Sequence, residues 1–219
     1  GMECHLDTFP SPEELWERLK GTFKFEDKKD EVDSLSAYWE EVGGKSPRYY
    51  QQVAINKTVN AVLNEQKRIL LTMATGTGKT FVAFQIIWRL WKSKRKKRIL
   101  YLADRNVLID QAKDRTFSPM GQALHKIQGK ALKSREVYFA LYQALANPVT
   151  GENLYEKYPK DFFDLIIVDE CHRGSANEEG SWRKILEYFD AAAQIGMTAT
   201  PRRTDNVDTY EYFGDPIYT

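Results

Sequence analysis

A glycine-rich segment that ends in lysine and threonine is the clearest source of chemistry in this chain. Residues 73–80 read Met-Ala-Thr-Gly-Thr-Gly-Lys-Thr and follow an apolar run at residues 69–71. This order predicts a strand, a loop and a helix that begins near Lys79. Backbone N–H groups in such a loop bind phosphate oxygens, and the lysine adds a positive charge beside them. The segment therefore predicts a nucleoside triphosphate site, with the Thr80 hydroxyl as a Mg²⁺ ligand.

Six residues of this segment are candidate phosphate contacts: Thr75, Gly76, Thr77, Gly78, Lys79 and Thr80. The two glycines let the backbone approach the phosphates because neither carries a Cβ atom. The strict pattern has a third glycine where Met73 stands. A glycine-rich turn with a surface lysine is the alternative interpretation, which the strand–loop–helix order disfavours.

Two adjacent carboxylates follow the apolar run 163–168, which is the clearest buried strand of the sequence. Asp169 is suited to holding the Mg²⁺ shell, and Glu170 to polarising an attacking water. Adjacent acids at a strand end are often only a strand terminus. Because the phosphate loop requires a metal-binding carboxylate, we favour the functional interpretation. The neighbouring His172 gains its interest from these two acids.

Apolar strands alternate with helices from residue 48 onward, which predicts an α/β fold with a parallel sheet covered by helices on both faces. Helices are predicted at 50–64, 79–91, 106–112 and 182–189, and strands at 68–72, 98–102, 124–128, 136–141, 163–168 and 192–197. The segment before residue 47 differs. Ser11 begins a short helix with Leu15, Trp16 and Leu19 on one face, and a second helix is predicted at 34–42. We therefore expect a helical extension at 1–46 and a nucleotide-binding domain at 47–219.

Composition excludes some classes of function. The 219 residues include 32 Lys and Arg against 31 Asp and Glu, so any contact with nucleic acid must come from a local patch. No apolar stretch reaches the roughly 18 to 20 residues of a membrane span. Cys4 and Cys171 are far apart and each precedes a histidine, but without a zinc-site spacing, and two free thiols fit a reducing cytoplasm.

Several motifs together resemble a known family. Gly-Thr-Gly-Lys-Thr at 76–80, Asp-Glu-Cys-His at 169–172 and Thr-Ala-Thr-Pro at 198–201 are similar to motifs I, II and III of superfamily 2 helicases and translocases. Asp-Glu-Cys-His-Arg-Gly and Tyr-Phe-Gly-Asp-Pro at 212–216 resemble more narrowly the motor (R) subunit of type I restriction enzymes. The resemblance implies the first RecA-like domain of a P-loop NTPase that uses ATP and Mg²⁺ to move along double-stranded DNA.

The resemblance also implies roles in nucleotide recognition and coupling. Arg48 and Gln51 are similar to the Q motif, in which Gln51 would read the adenine edge. His172, Thr198 and Thr200 would couple the state of the γ-phosphate to the DNA path. Without the resemblance, Arg48 and Gln51 would only mark the start of an amphipathic helix. Thr198 and Thr200 would only form a turn between a strand and a loop.

Two residues are expected to contact DNA on the same basis. Arg105 lies in a segment similar to motif Ia, where a surface ion pair is the alternative. Gln143 lies where related motors have Thr-Tyr-Gln, but Leu141 replaces the hydroxyl residue. The basic run 92–98 suggests a DNA patch or a nuclear signal. Topology places it at the opposite edge of the sheet from the ATP site, so we interpret it as a solvated loop.

The resemblance implies further parts beyond these motifs. Such motors close the ATP site with an arginine from a second RecA-like domain, and Arg202 and Arg203 follow motif III on the first domain. A Glu-Gln-Lys sequence at 65–67 imitates part of a nuclease site but lacks an acidic partner. We expect a second motor domain, a nuclease domain before residue 1, and methylation and specificity subunits, in the cytoplasm of a bacterium or archaeon. On its own the fragment should hydrolyse ATP weakly or not at all.

Two other functions stay open from the sequence. One is a DNA-repair or RNA helicase of the same superfamily. The other is an ATP-gated binding module that does not hydrolyse its nucleotide, although the intact pair Asp169 and Glu170 favours hydrolysis.

Overall fold

The computed structural model describes residues 10–22, 38–39, 46–103, 116–146, 153–171, 176–199 and 207–219. Its helices are α1 (Pro12–Thr22), α2 (Tyr49–Leu63), α3 (Lys79–Lys92), α4 (Tyr142–Leu145), α5 (Ala176–Tyr188) and α6 (Val207–Phe213), with 3₁₀ turns at Ser118–Ala123 and Leu154–Lys157. Its strands are β1 (Arg68–Thr72), β2 (Ile99–Ala103), β3 (Leu124–Lys126), β4 (Val137–Leu141), β5 (Leu165–Asp169) and β6 (Ala193–Thr198). The helix predicted at 106–112 lies outside the described residues.

The six strands form one parallel sheet in the order β1-β6-β5-β2-β4-β3. All six predicted strands are confirmed, with ends that differ from the prediction by at most two residues. β5 begins two residues later than predicted because Asp164 accepts hydrogen bonds from the backbone N–H groups of Lys97 (2.8 Å) and Arg98 (3.0 Å). Helix α5 begins six residues earlier than predicted.

Hydrophobic cores cover both faces of the sheet. Alternate residues of β1 point to opposite sides, so Ile69 lies in the core with Phe84 of α3, and Leu70 lies in the core with Trp182 of α5. Near-continuous burial of the strands follows because helices cover both faces. None of the helices in the described part of the chain is long and apolar enough to span a membrane.

The outer edge of β1 is also paired. The N–H group of Ile217 donates to the Leu70 carbonyl (3.0 Å), and the Tyr218 carbonyl accepts from the N–H group of Thr72 (2.9 Å). This short parallel bridge removes free backbone groups from the edge of the strand that precedes the glycine-rich loop.

Two aromatic residues of the N-terminal extension pack on α3. The side chain of Gln85, which is fully buried, accepts from the N–H group of Trp39 (3.0 Å) and donates to its carbonyl (2.9 Å). The Trp39 ring meets Phe84 edge to face at 5.4 Å. Tyr38 donates to Asn56 of α2 (2.8 Å). Residues 38–39 are therefore held on α2 and α3 by hydrogen bonds.

The predicted helix at 34–42 is wrong at its described positions. Tyr38 and Trp39 are not helical. Their conformation follows from the Gln85 amide, which takes both backbone polar groups of Trp39 and so replaces the bonds that a helix would make. The side chains of Trp16 and Leu19 lie outside what the structure describes, so their packing stays a prediction.

Replacing Gln85 by leucine should destabilise the protein. The change keeps the volume but leaves the N–H and C=O groups of Trp39 without their partner, at a cost of about 1–3 kcal/mol in the free energy of unfolding. Urea unfolding measures it. The control is Gln66→Leu, which removes a single bond from an exposed side chain to the Arg68 carbonyl and should cost under about 0.5 kcal/mol. Equal losses in the two variants would contradict the anchoring role of Gln85.

Candidate nucleotide-binding site

The glycine-rich loop leaves the carboxyl end of β1 and leads directly into α3. Gly76 (φ +82°) and Gly78 (φ +86°) have left-handed backbone conformations, which explains why glycine stands at both positions. Thr77 closes the turn, because its hydroxyl donates to the Ala74 carbonyl at 2.6 Å. Met73 is only 3% exposed and lies in the core under the loop. Met73 therefore stands in place of the third glycine of the strict pattern because its side chain packs in the core.

Lys79 and Glu170 meet at this edge of the sheet. The Lys79 Nζ atom lies 3.0 Å from Glu170 Oε1, and the two side chains are 9% and 12% exposed. Glu170 has φ +54°, an uncommon conformation for a residue with a side chain, and such strain concentrates at functional sites. The structure therefore brings together the two groups that the sequence assigned to phosphate binding and water activation.

Asp169 is buried and held from two sides. Its Oδ2 atom accepts a hydrogen bond from the Tyr101 hydroxyl (2.6 Å), and its backbone carbonyl accepts one from the Tyr142 hydroxyl (2.6 Å). Its Oδ1 atom is buried and has no hydrogen-bond partner among the described residues. Burial raises the pKa of Asp169, and the charge of Glu170 raises it further, against the opposing effects of Tyr101 and Lys79.

A buried carboxylate with one unsatisfied oxygen fits a cation. Mg²⁺ prefers oxygen ligands, commonly one or two from the protein together with phosphate oxygens and water. Thr80, the other predicted metal ligand, is half-buried in the first turn of α3, directly after the glycine-rich loop. Both predicted ligands therefore lie at the edge of the sheet where β1 and β5 end.

A cavity of about 650 Å³ adjoins the loop on the side of α2. Its lining consists of Ser46, Arg48, Tyr50, Gln51, Gly76, Thr77, Gly78, Phe81 and Thr116. The Gln51 Oε1 atom accepts from the N–H group of Arg48 (2.9 Å), and Gln51 Nε2 donates to the Thr77 carbonyl (2.8 Å). One N–H and one lone pair of the amide stay available for a base edge. The amide is thus fixed between its own helix and the loop.

Of five further predicted site residues, the structure describes two and leaves three outside the described part of the chain. Thr198 is fully buried at the end of β6, beside Thr72, and its carbonyl accepts from the N–H group of Met73 (2.8 Å). Gln143 is half-buried in α4, directly after β4. Residues 105, 172 and 200, the predicted positions Arg105, His172 and Thr200, lie outside the described residues.

Sequence reasoning missed four residues at the site: Tyr101, Tyr142, Phe81 and Thr116. A tyrosine inside the aliphatic strand β2 was the one available signal, because a buried hydroxyl needs a hydrogen-bond partner. Phe81 follows the loop within a helix, and Thr116 approaches it only through the tertiary fold.

The basic run 92–98 lies between the end of α3 and the start of β2, as predicted, at the edge opposite the glycine-rich loop. A smaller cavity of about 370 Å³ occurs there, lined by Trp91, Lys92, Lys94, Lys96, Lys97 and Glu136. Trp91 donates to Glu136 at 2.6 Å. The run therefore takes no part in the site formed by Lys79 and Asp169.

Comparison with known proteins decides the family. A family model described as "Type III restriction enzyme, res subunit" (ResIII) matches residues 44–203. The chain belongs to this family. Within the ResIII match lie the glycine-rich loop and the pair Asp169 and Glu170.

Two similar relatives are subunits of type I restriction enzymes. The chain is 54% identical over 214 residues to the type I restriction enzyme EcoAI endonuclease subunit of Escherichia coli, covering 97% of this chain and 26% of the relative. It is 35% identical over 196 residues to the EcoKI endonuclease subunit of Escherichia coli (strain K12), covering 78% of this chain and 16% of the relative. The resemblance to type I restriction subunits is confirmed, and the chain spans only these minor parts of the two relatives.

Solved structures agree on the fold. A fragment assigned to the HsdR subunit of a type I restriction enzyme from Vibrio vulnificus YJ016 has a TM-score of 0.78 and 52% identity, covering 98% of this chain and 36% of that one. The UvsW helicase from bacteriophage T4 has a TM-score of 0.62 at 18% identity, covering 94% of this chain and 77% of that one. The predicted RecA-like α/β fold is confirmed.

Alanine at Gly78 should disturb the site more than alanine at Gly76. Both positions have positive φ, which costs a side chain about 1–2 kcal/mol. A Cβ atom at Gly78 would lie 2.7 Å from Gln51 Nε2, whereas one at Gly76 meets nothing within 4 Å. Gly78→Ala should therefore lower the free energy of unfolding by about 1 kcal/mol more than Gly76→Ala does. This difference is the contribution of the hydrogen bond from Gln51 to Thr77. Thermal unfolding without nucleotide measures the difference, and equal losses would contradict it.

Replacing Asp169 by asparagine should stabilise the nucleotide-free protein at neutral pH. The folded-state pKa of Asp169 is raised, so the wild-type chain gains stability as pH falls through that pKa, when the carboxylate takes up its proton. The asparagine variant has no such proton to gain. Its advantage should be largest above the folded pKa and vanish in acid below the unfolded value.

Urea unfolding at a series of pH values measures this effect. The control is Asp190→Asn, since Asp190 is exposed two residues after α5 and its substitution should change the free energy of unfolding by less than about 0.5 kcal/mol. An Asp169→Asn variant that is less stable than wild type at neutral pH would contradict the assignment of Asp169 as a buried charge that destabilises the folded protein.

Proposed function

We propose that this chain is the ATP-binding half of a motor that moves along double-stranded DNA in a type I restriction enzyme. The observation that carries the proposal is the meeting of Lys79, Asp169 and Glu170 at one edge of the parallel sheet, beside a loop with two left-handed glycines. The similarity to type I endonuclease subunits supports the restriction-enzyme setting.

Each side chain has a task that its position supports. Lys79 exchanges its ion pair with Glu170 for phosphate oxygens of ATP, and N–H groups of the loop bind the same oxygens. Asp169 and the Thr80 hydroxyl would hold Mg²⁺, which would neutralise phosphate charge. Glu170, released from Lys79, orients the attacking water and accepts its proton.

Nucleotide identity is assigned to the cavity beside α2. Gln51 offers one donor and one acceptor to an adenine edge, while Tyr50 and Phe81 supply aromatic surface there. Arg48 is exposed at the rim, where its guanidinium reaches a ribose or phosphate group. The Thr198 carbonyl binds the N–H group of Met73 at the start of the loop. Thr198 thereby relays the state of the loop to the segment that follows β6.

Completion of the motor requires further parts. We assign the division into extension 1–46 and domain 47–219, DNA contacts at Arg105 and Gln143, and coupling roles to His172 and Thr200. A second RecA-like domain supplies the arginine that raises turnover, typically by about 10³ to 10⁵. A nuclease domain and methylation and specificity subunits complete the enzyme, which works in the cytoplasm of a bacterium or archaeon.

Lys79→Ala should weaken Mg·ATP binding by about 10- to 100-fold. The loss corresponds to the roughly 1.5–3 kcal/mol of a charged hydrogen bond. Titration with a fluorescent ATP analogue measures it. The control is Lys97→Ala, an exposed lysine at the opposite edge of the sheet, which should bind like wild type. Unchanged affinity in Lys79→Ala would end the nucleotide proposal.

Steady-state ATP hydrolysis with and without linear duplex DNA tests the motor assignment. Negligible turnover by this chain that rises when the second domain is restored supports it. Strand separation with a preference for RNA by the completed protein would favour a helicase instead. Nucleotide binding without turnover in the completed protein would favour a gated binding module.

A further inference from the structure

Tyr101 holds one of the two predicted metal ligands. It stands in the middle of β2, is 1% exposed, and donates its hydroxyl hydrogen to Asp169 Oδ2 at 2.6 Å. This bond joins the middle of β2 to the carboxyl end of β5.

The direction of this bond suits metal binding. A carboxylate that binds a cation through one oxygen keeps the other for a donor, and the Tyr101 hydrogen is that donor for Asp169.

Fixing one carboxylate oxygen also fixes the other. The terminal torsion of an aspartate is broad, so an unanchored carboxylate turns easily about its Cβ–Cγ bond. The bond from Tyr101 removes this freedom and defines where Oδ1 lies. The ring of Tyr101 is itself held by Phe117 and Phe139, whose centroids lie 5.8 Å and 5.5 Å away. The hydroxyl therefore has little room to move.

We propose that Tyr101 is a positioning residue that orients the Asp169 carboxylate for Mg²⁺. The inference rests on the proposed function, because it concerns the metal that accompanies ATP. It assigns a role to a strand residue outside the motifs that the sequence identified. Tyr142, which binds the Asp169 backbone carbonyl, fixes the main chain at the same point.

The Mg²⁺ dependence of nucleotide binding tests this role in the full chain. Tyr101→Phe removes only the hydroxyl, so the Mg²⁺ concentration needed for half-maximal binding of a fluorescent ATP analogue should rise about 10- to 100-fold, as for other outer-sphere partners of metal ligands. Binding of the analogue in EDTA should stay unchanged, because the loop and Lys79 do not contact Tyr101 through that oxygen.

Tyr138→Phe is the matched control. Tyr138 is fully buried on the neighbouring strand β4, but it lies in the other hydrophobic core and its oxygen accepts from the N–H group of Arg135 (3.0 Å). Its Mg²⁺ dependence should match that of wild type. A general loosening of the core by removal of a buried hydroxyl would affect both variants alike, and that result would overturn the proposal.

A second variant tests the contact with Asp169. If Tyr101 acts through Asp169, the effects of Tyr101→Phe and Asp169→Asn on Mg²⁺ dependence should be less than additive when combined. Full additivity, or a Tyr101→Phe variant within twofold of wild type, would overturn the inference. Wild-type protein whose nucleotide binding is absent in Mg²⁺ and in EDTA alike would instead contradict the proposed function.

Discussion

Backbone hydrogen bonds among three neighbouring strands determine where the chemistry of this domain can occur. β6 lies between β1 and β5, and its register sets Thr198 opposite Thr72 and Met197 opposite Asp169. Since all three strands are parallel, the loop after β1 and the carboxylates after β5 emerge at one edge. A shift of β5 by one residue would put Val168 in the place of Asp169 and turn the carboxylate to the other face.

The charged groups at this edge of the sheet lower the stability of the nucleotide-free protein. One lysine and two carboxylates share a mostly buried space, so the cluster of Lys79, Asp169 and Glu170 carries a local excess of negative charge. Burial raises the pKa of Asp169, and Glu170 sits in a left-handed conformation. Such costs are typical of binding sites, where the ligand supplies the missing interactions and the surrounding core supplies the stability.

Local sequence signals predicted much of the fold and of the site, and tertiary contacts explain the rest. Aliphatic strands and the glycine-rich loop are short-range patterns, so β1 matched its predicted bounds. The helix predicted at 34–42 was wrong at Trp39 because the Gln85 side chain, distant in the sequence, takes its backbone groups. Tyr101 was missed because Asp169, the partner of its hydroxyl, lies 68 residues away. A tyrosine within an aliphatic strand indicates a buried hydroxyl, but no local pattern identifies a partner at that separation.

The contact between Trp39 and Gln85 has a mechanical consequence. Gln85 lies six residues after Lys79 on one continuous helix, a distance of about 9 Å along the axis at 1.5 Å per residue. A force applied at residues 38–39 would therefore act directly on the helix that begins with Lys79. A displacement of that helix would likewise shift Trp39.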